Sequence, residues 1–390
     1  MAMNDLTIEQ CSTVLNAIVN QATGKNPVLT TTNTKDFVTV AQTALKTGYD
    51  PIISAISQVL SRTIFSVRPY NRKFKGLEVS AQRWGNHVRK LNMIDGTFVD
   101  NDELNLTDGQ SLDPWLINKP KVLQTNFYGE IAYSRYTTYF KNQLDTAFSA
   151  PSEFASFISM QMSNITDQIA QADEELDRGA ICNFIAGKCV GDTNSVVHLV
   201  TEYNAYCGGS YTSTTIKDPT VYEPFIKWVF GRIKTIGSMM SERSIKFHIN
   251  VTGKEVMRHT PSQNLKVYLF APVLNDISAS VLSDVYNSDI LKFADHESVS
   301  YWQNIDNPDS IKVDATYMKA DGTLTTTTAT TVNNVFGVMF DEEAIGTNTC
   351  NQSVIDSGLN ARGSYNTTWY HWTRRYWNDF SENGCVLLLD

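Results

Sequence analysis

The sequence predicts an α+β fold, and three observations carry that prediction. Phe154, Ile158, Met162, Ile165, Ile169, Ala172, Leu176, Ala180 and Phe184 recur at intervals of three or four, one long helical stripe. β-favouring segments follow it, densest from Ile311 to Val338 and resuming at Trp369. Ahead of it, Arg62 to Asp113 is too long and too polarised to be an ordinary connection. With 390 residues, 42% hydrophobic and 19% charged, the chain is folded and large enough for two or three domains.

In chain order, Asp5 caps a helix predicted to run to about Ala22, stopped by Gly24, Asn26 and Pro27. The Thr-rich run Thr30–Thr34 reads as a tether. Helices are expected from about Lys35 to Lys46 and from Pro51 to about Leu60, the latter with Pro at the first helical position. Val122 to Phe140, rich in Tyr, Phe and Thr, reads as a returning strand. The long helix starts at Pro151 and closes near Gly187, about 54 Å if Gly179 does not interrupt it. Its other face carries Gln161, Asn164, Asp167, Gln168, Gln171, Glu175 and Asp177, which places that side in solvent or against a polar neighbour.

Val190 to Asp218 reads as loop and Val221 to about Met240 as helix. Ile245–Val251 reads as a strand, followed by a short helix ending near Pro261. Val267–Phe270, Val281–Val285 and Ser300–Ile305 are further strand candidates. Asp341, Glu342 and Glu343 suit the first turn of a short helix continuing through Ile345. An aromatic run from Trp369 to Trp377, read as core or interface, and an apolar strand, Val386–Leu389, close the sequence.

The stretch before the long helix is polarised by sign. From Arg62 to Lys90 eight basic residues (Arg62, Arg68, Arg72, Lys73, Lys75, Arg83, Arg89, Lys90) face one acid, Glu78, for a charge of +7. From Leu91 to Asn118, Asp95, Asp100, Asp102, Glu103, Asp108 and Asp113 give −6 with no compensating base. Opposite blocks threaded with apolar residues suggest an arm that lies across something of reverse polarity, since opposed patches set register between subunits. A solvated hairpin whose blocks neutralise each other is the alternative.

The sequence holds no phosphate-cradling glycine loop, no nucleophile elbow and no HExxH. The six His residues are spread one per region, and the six Cys lack a CxxC, which points to reduced, mostly buried thiols. No catalytic, cofactor or metal residues are assigned. A formal net charge of −9 and a pI of about 5.2 disfavour a whole-protein grip on nucleic-acid phosphates. No apolar run approaches the ~20 residues of a membrane span, and the first ten residues do not read as a signal peptide, so no membrane association is expected.

The order of tether, charged arm, returning strand, spine helix and mixed α/β region resembles the major capsid proteins of tailed bacteriophages. Their Hong Kong phage-type fold is shared with herpesvirus capsids and encapsulins. Val335 to Gly346 looks like the family's apolar strand entering an acidic–Ala–aliphatic turn, and Arg374, Arg375, Tyr376 and Trp377 with Cys385–Leu389 look like its closing strand. The resemblance implies an N-terminal arm over residues 1–64, an E-loop over 65–130 and a P-domain over 131–219 with its spine helix at about 151–187. An A-domain over 220–335 and closing P-domain strands over 336–390 complete it.

The same resemblance implies a non-enzymatic shell protein of the virion, assembled in the bacterial host cytoplasm into hexamers and pentamers around dsDNA. That DNA would be contacted weakly and non-specifically, and a separate scaffolding protein and a portal are the implied partners. The intersubunit residues implied in the E-loop are Arg68, Arg72, Lys73, Lys75, Arg83, Arg89, Lys90, Asp95, Asp100, Asp102, Glu103, Asp108 and Asp113. An encapsulin-like compartment shell, a soluble oligomeric enzyme with a dispersed site, and a tail-tube or decoration protein are the rival readings.

Overall fold

The computed structural model describes residues 15–20, 39–41, 72–79, 88–94, 106–111, 113, 115, 117, 119, 121–251, 256–275 and 296–390. In chain order its elements are β1 (Val88–Met93), β2 (Val122–Phe127), β3 (Glu130–Phe140), α1 (Lys141–Ala147), α2 (Pro151–Gly191), β4 (Val196–His198), α3 (Leu199–Cys207) and α4 (Pro219–Ser241). There follow β5 (Leu265–Phe270), β6 (His296–Val299), β7 (Ile311–Met318), β8 (Leu324–Val332), β9 (Val335–Asp341), β10 (Ile345–Asp356), β11 (Tyr365–Asn378) and β12 (Gly384–Leu388). They divide into two units: Met1–Trp84, Glu130–Leu176 and Asn348–Arg375 form one, and Gly85–Gly129, Asp177–Thr347 and Tyr376–Asp390 the other.

The first unit is built on a three-stranded sheet in the order β10-β11-β3, with β3 and β11 antiparallel and Tyr370 opposite Arg135. Side chains alternate across a strand, so Tyr133, Tyr139, Tyr370 and Trp372 share one face. They pack with Leu15 and Ile18 of the helical residues 15–20, Leu144 of α1, and Phe154, Phe157 and Ile165 of α2. Each such buried side chain contributes about 1.5–3 kcal/mol relative to exposure, and the aromatic ones hold the helices on the sheet. Gln143 caps the start of α1 by accepting from the Phe140 amide at 3.3 Å.

The second unit holds a five-stranded mixed sheet, β4-β12-β9-β5-β6. β12 runs parallel to β4 and antiparallel to β9, while β5 runs antiparallel to β9 and parallel to β6. Every residue of β9 and β12 is buried, which is why both read as continuous apolar runs. Phe184 of α2 packs between Phe340 of β9 and Phe380, at ring separations of 5.9 and 5.3 Å. On α4, Phe225, Val229, Ile233, Ile236 and Met240 form the buried stripe, and Gly237 lies over Leu265 and Met339. Asp218 caps that helix by accepting from the Thr220 amide at 3.0 Å, ahead of Pro219. Gly337 has a specific job: a Cβ there would sit 2.8 Å from the Tyr268 carbonyl oxygen on the neighbouring strand.

α2 spans 41 residues, about 61 Å, and Gly179 does not interrupt it. Of its predicted apolar stripe, Phe154, Ile165, Leu176, Ala180 and Phe184 are buried. Asp177, on the face expected in solvent or against a polar neighbour, is fully buried and accepts from the Thr347 hydroxyl at 2.8 Å.

Elsewhere the structure departs from the sequence pattern. The returning strand is two strands, broken at Tyr128–Gly129, because Gly129 passes close to β11: a Cβ there would sit 2.9 Å from the Tyr376 carbonyl oxygen. The polar segment after Val190 contains α3, anchored by Leu199, Val200 and Tyr203 and closed by Gly208 at φ +71°. Ile245–Val251 forms no strand: Phe247 has φ +67°, and the backbone makes a single bridge, Ser244 to Arg258. Residues 256–261 hold no helix, and 252–255 lie outside the described residues.

Residues 300–305 are irregular, because Trp302 is buried and donates from its indole nitrogen to the Val335 carbonyl at 2.9 Å; the strand is His296–Val299 instead. The acidic trio starts no helix. The Asp341 carboxylate accepts from the Glu343 amide and its carbonyl from the Ala344 amide, which closes a tight turn between β9 and β10. The helices expected near 35–46 and 5–22 are described only at 39–41 and 15–20, both helical, while 51–60 and 281–285 lie outside the described residues.

Candidate intersubunit arm and its moorings

The polarised stretch contributes a two-stranded ribbon, β1 against β2, with Met93 opposite Val122 and Leu91 opposite Gln124. Alternation gives it two faces. Val88, Lys90, Asn92, Leu123, Thr125 and Phe127 are half-buried, whereas Arg89, Leu91, Met93, Val122, Gln124 and Asn126 are exposed. On the open face Leu91, Met93 and Val122 are 56%, 66% and 56% exposed, and farther along the arm Trp115 and Ile117 reach 83% and 77%. An isolated two-stranded ribbon is marginal in water, and an apolar face on one marks an interaction surface.

In the first unit, the arm's beginning is moored by a buried ionic cluster. Arg72 pairs with Glu78 and stands 3.4 Å from Asp173 of α2; Arg374 of β11 stands 3.3 Å from Glu78 and 3.1 Å from Asp173. The Lys73 amide donates to Glu174 at 2.9 Å, and Arg374 donates to the Thr349 hydroxyl at 2.6 Å. Phe74 and Leu77 are buried beside these groups in sequence. Two guanidinium groups thus interleave with carboxylates from the arm and the long helix, an arrangement costly to break from one side.

In the second unit a second cluster holds the ribbon. Lys90 Nζ stands 3.0, 3.1 and 2.6 Å from Glu343, Asp379 and Glu382. Arg258 stands 3.0 Å from Glu382 and donates to Asn92 at 3.2 Å. Burial alone would lower the pKa of the Lys90 ammonium, but the Asp379 and Glu382 carboxylates reverse this and hold it above the ordinary lysine range. Burial raises the Glu382 carboxyl above its ordinary value against the pull of Lys90 and Arg258.

Of the residues that sequence reasoning assigned to intersubunit contact, Arg72 and Lys90 are committed to carboxylates of their own chain. Within one chain these two act as moorings, to Asp173 and Asp379. Lys73, Lys75, Arg89, Asp108 and Asp113 are exposed, with Asp113 accepting from the Trp115 amide at 2.9 Å. Arg68, Arg83, Asp95, Asp100, Asp102 and Glu103 lie outside the described residues. Sequence reasoning missed Asp173, Glu343, Asp379, Glu382 and Arg258 as partners of the arm. They are far away in the chain, and the only signal was the conspicuous acidity of the 341–343 turn.

The buried titratable groups are arranged for packing. Burial pushes the thiols of Cys182, Cys189 and Cys385 up to about 12, so none is a thiolate near neutrality. Lys188 is fully buried between Asp192 and the Phe247 carbonyl, and burial lowers its pKa. His248, likewise lowered by burial, has its two ring nitrogens 2.8 and 2.7 Å from the carbonyls of Lys246 and Val256. Among the described residues no group of His, Cys, Asp or Glu side chains stands where it could hold a metal ion, and no helix is long and apolar enough to cross a membrane.

Comparison with solved structures gives the architecture its relatives. A capsid structure of Staphylococcus phage Andhra matches with TM-score 0.53 and 11% identity, over 82% of this chain and 84% of that one. A chain from the structure of the head fiber and inner core protein gp22 of native bacteriophage P68 matches with TM-score 0.53 and 10% identity, over 82% and 85%. At such identities the likeness shows the fold, which is the Hong Kong phage-type capsid fold. No curated protein matches the sequence. A protein family does, Phi29-like phage major capsid protein, over residues 15–388, so nearly the whole chain with its arm, long helix and closing strand is accounted for: the chain belongs to that family of major capsid proteins.

Proposed function

We propose that copies of this chain join as hexamers and pentamers into the closed icosahedral head shell that encloses the dsDNA genome of a tailed phage. The arm of each copy lies over its neighbour. The observation that carries this reading is the ribbon's open apolar face, Leu91, Met93 and Val122, on a two-stranded element that needs support from outside itself. In this reading residues 1–64 are the N-terminal arm, 65–130 the E-loop, 131–219 the P-domain with its spine helix, 220–335 the A-domain and 336–390 the closing P-domain strands. Exposed Lys73, Lys75 and Arg89 meet the acidic half of an adjacent arm, with Asp108 and Asp113 in it.

The remaining partners follow from the same role. A separate scaffolding protein and a portal direct closure in the host cytoplasm. The packaged DNA touches the shell weakly, in keeping with a net charge of −9. The chain performs no catalysis of its own; its buried thiols and lysine are packing groups.

Electron microscopy of the protein expressed in bacteria, with and without its neighbouring genes, tests the reading. Closed shells or curved sheets of rings are expected. A uniform small oligomer of two to six subunits under every salt condition would reject it.

A further inference from the structure

The arm is not the only basic stretch of this acidic chain. Residues 224–275 hold eight Lys and Arg against two Glu, a charge of +6 (8 − 2), so the rest of the chain carries −15 (−9 − 6). Such an asymmetry marks a surface for a polyanion. The structure sorts these cations. Arg232 is engaged by Glu202 at 2.6 Å, Arg258 by Glu382 at 3.0 Å, and Lys254 lies outside the described residues. Lys227, Lys234, Arg243 and Lys246 are exposed.

Lys227 and Lys234 stand two turns apart on α4, so they share one face about 10.5 Å apart, and Arg243 and Lys246 follow just beyond its end at Ser241. Gly231, Thr235, Ser238 and Ser241 are exposed along the same helix. The hydroxyls of Thr235 and Ser241 donate back to the helix carbonyls of Gly231 and Ser238, at 2.9 and 2.7 Å, which keeps the surface low between the cations. Lys227 pairs with Glu223 at 2.6 Å, but the two side chains are 52% and 40% exposed, so the pair is weak and easily exchanged.

The chemistry of this strip selects among partners. A protein interface has an apolar, aromatic centre poor in Lys, yet the large apolar side chains open here are Met239 and Ile245, 46% and 40% exposed and both beyond Lys234. Unpaired bases need open rings to stack on, and Trp228 beside Lys227 is already packed on Tyr203 and Tyr206, at 5.5 and 6.1 Å. Duplex DNA asks for neither. It presents a phosphate about every 3.4 Å along each strand, so the distance from Lys227 to Lys234 covers about three phosphate steps. We infer that the exposed face of α4, continued by Arg243 and Lys246, is a surface on which duplex DNA rests, its phosphates held by these four cations without regard to base sequence. The inference rests on the reading of the chain as a shell around dsDNA and adds which face of the chain meets the genome.

Binding of a short fluorescent DNA duplex to the free subunit, followed by anisotropy as salt is raised, tests it. Four phosphate contacts give a log–log slope of about −3.6, a loss of affinity of about 150-fold between about 50 and 200 mM salt. Lys227→Gln with Lys234→Gln and Lys246→Gln should bring the slope to about −0.9, with the urea midpoint unchanged and shells still formed. Lys73→Gln with Lys75→Gln and Arg89→Gln in the arm should leave the slope as it was. No binding at the lowest salt, an unchanged slope in the α4 variant, or an equal loss in the arm variant overturns the inference. If the α4 variant does not fold, DNA is joined to the unmodified subunit with formaldehyde and the joined lysines are mapped by mass spectrometry. Adducts at Lys227, Lys234 or Lys246 support the surface; adducts confined to other lysines overturn it. A uniform small oligomer of the unmodified chain in electron microscopy defeats the shell reading itself, whatever the duplex does.

Discussion

Replacing Lys90 with methionine keeps the stem of the side chain and removes one cation from among Glu343, Asp379 and Glu382. Breaking a buried ion pair from one side costs about 3–5 kcal/mol. The value expected here is at the low end, about 3 kcal/mol, because Asp379 keeps the amide and hydroxyl of Ser381 and Glu382 keeps Arg258. The cost also depends on pH with a defined sign. Lys90 holds the Glu382 carboxyl down against burial, so in its absence Glu382 rises further above its unfolded value. A carboxyl raised in the folded state binds protons better there than in the unfolded chain, so its contribution to stability is present at low pH and lost as pH climbs through the folded pKa. The deficit of K90M relative to the unmodified chain is therefore widest near pH 8 and narrows toward pH 5. Urea unfolding of the free subunit, followed by tryptophan fluorescence at several pH values, reads both quantities. A deficit below about 1 kcal/mol, or one constant from pH 5 to pH 8, would refute the account of this cluster.

Arg374→Met removes a guanidinium that is 1% exposed and leaves Glu78 and Asp173 with Arg72, so a loss of about 3–5 kcal/mol is expected in the same unfolding assay. Gly346→Ala directs a methyl group to within 2.1 Å of the Trp377 ring, and about 1–3 kcal/mol of destabilisation should follow; an unchanged urea midpoint would contradict that packing. Leu91→Ser with Met93→Ser should leave subunit stability within about 0.5 kcal/mol yet abolish shells seen by electron microscopy. Among the described cysteines, a thiol-reactive chromophore at pH 8 should label exposed Cys207 quickly and spare Cys182 and Cys385, with mass mapping as the readout.

The elements most legible from sequence were those whose pattern is local and long. The stripe from Phe154 to Phe184 shows a periodicity that no other structure satisfies, and α2 runs its length. Likewise the apolar run from Val335, read as a strand, is β9, which the structure buries on both faces. What local pattern could not supply was distance along the chain. The acidic turn at Asp341–Glu343 obeys the rule for a helix start, yet its carboxylates are spent on closing the tight turn from β9 to β10 and on reaching Lys90. Asp177 sits on the polar side of the α2 wheel, but Thr347 meets it there and buries it. The +7 block holds cations of two kinds, and their division into moorings, Arg72 and Lys90, and open positions, Lys75 and Arg89, depends on acids from 101 to 292 residues away (173 − 72 and 382 − 90).

The strand order of the five-stranded sheet bears on how a cell makes this protein. β12 lies between β4 and β9, and its residues follow those of β4 by 188 positions (384 − 196). Until residues 384–388 have left the ribosome, the parallel pairing of β4 has no partner and β9 keeps one edge open, so that sheet stays open until they emerge. Non-local pairing of this kind is slow, and an open strand edge invites association with other chains. Nascent copies crowded on one message therefore carry a mutual hazard that finished copies do not, and chaperone supply at the time of translation, more than subunit concentration, should limit the yield of competent protein.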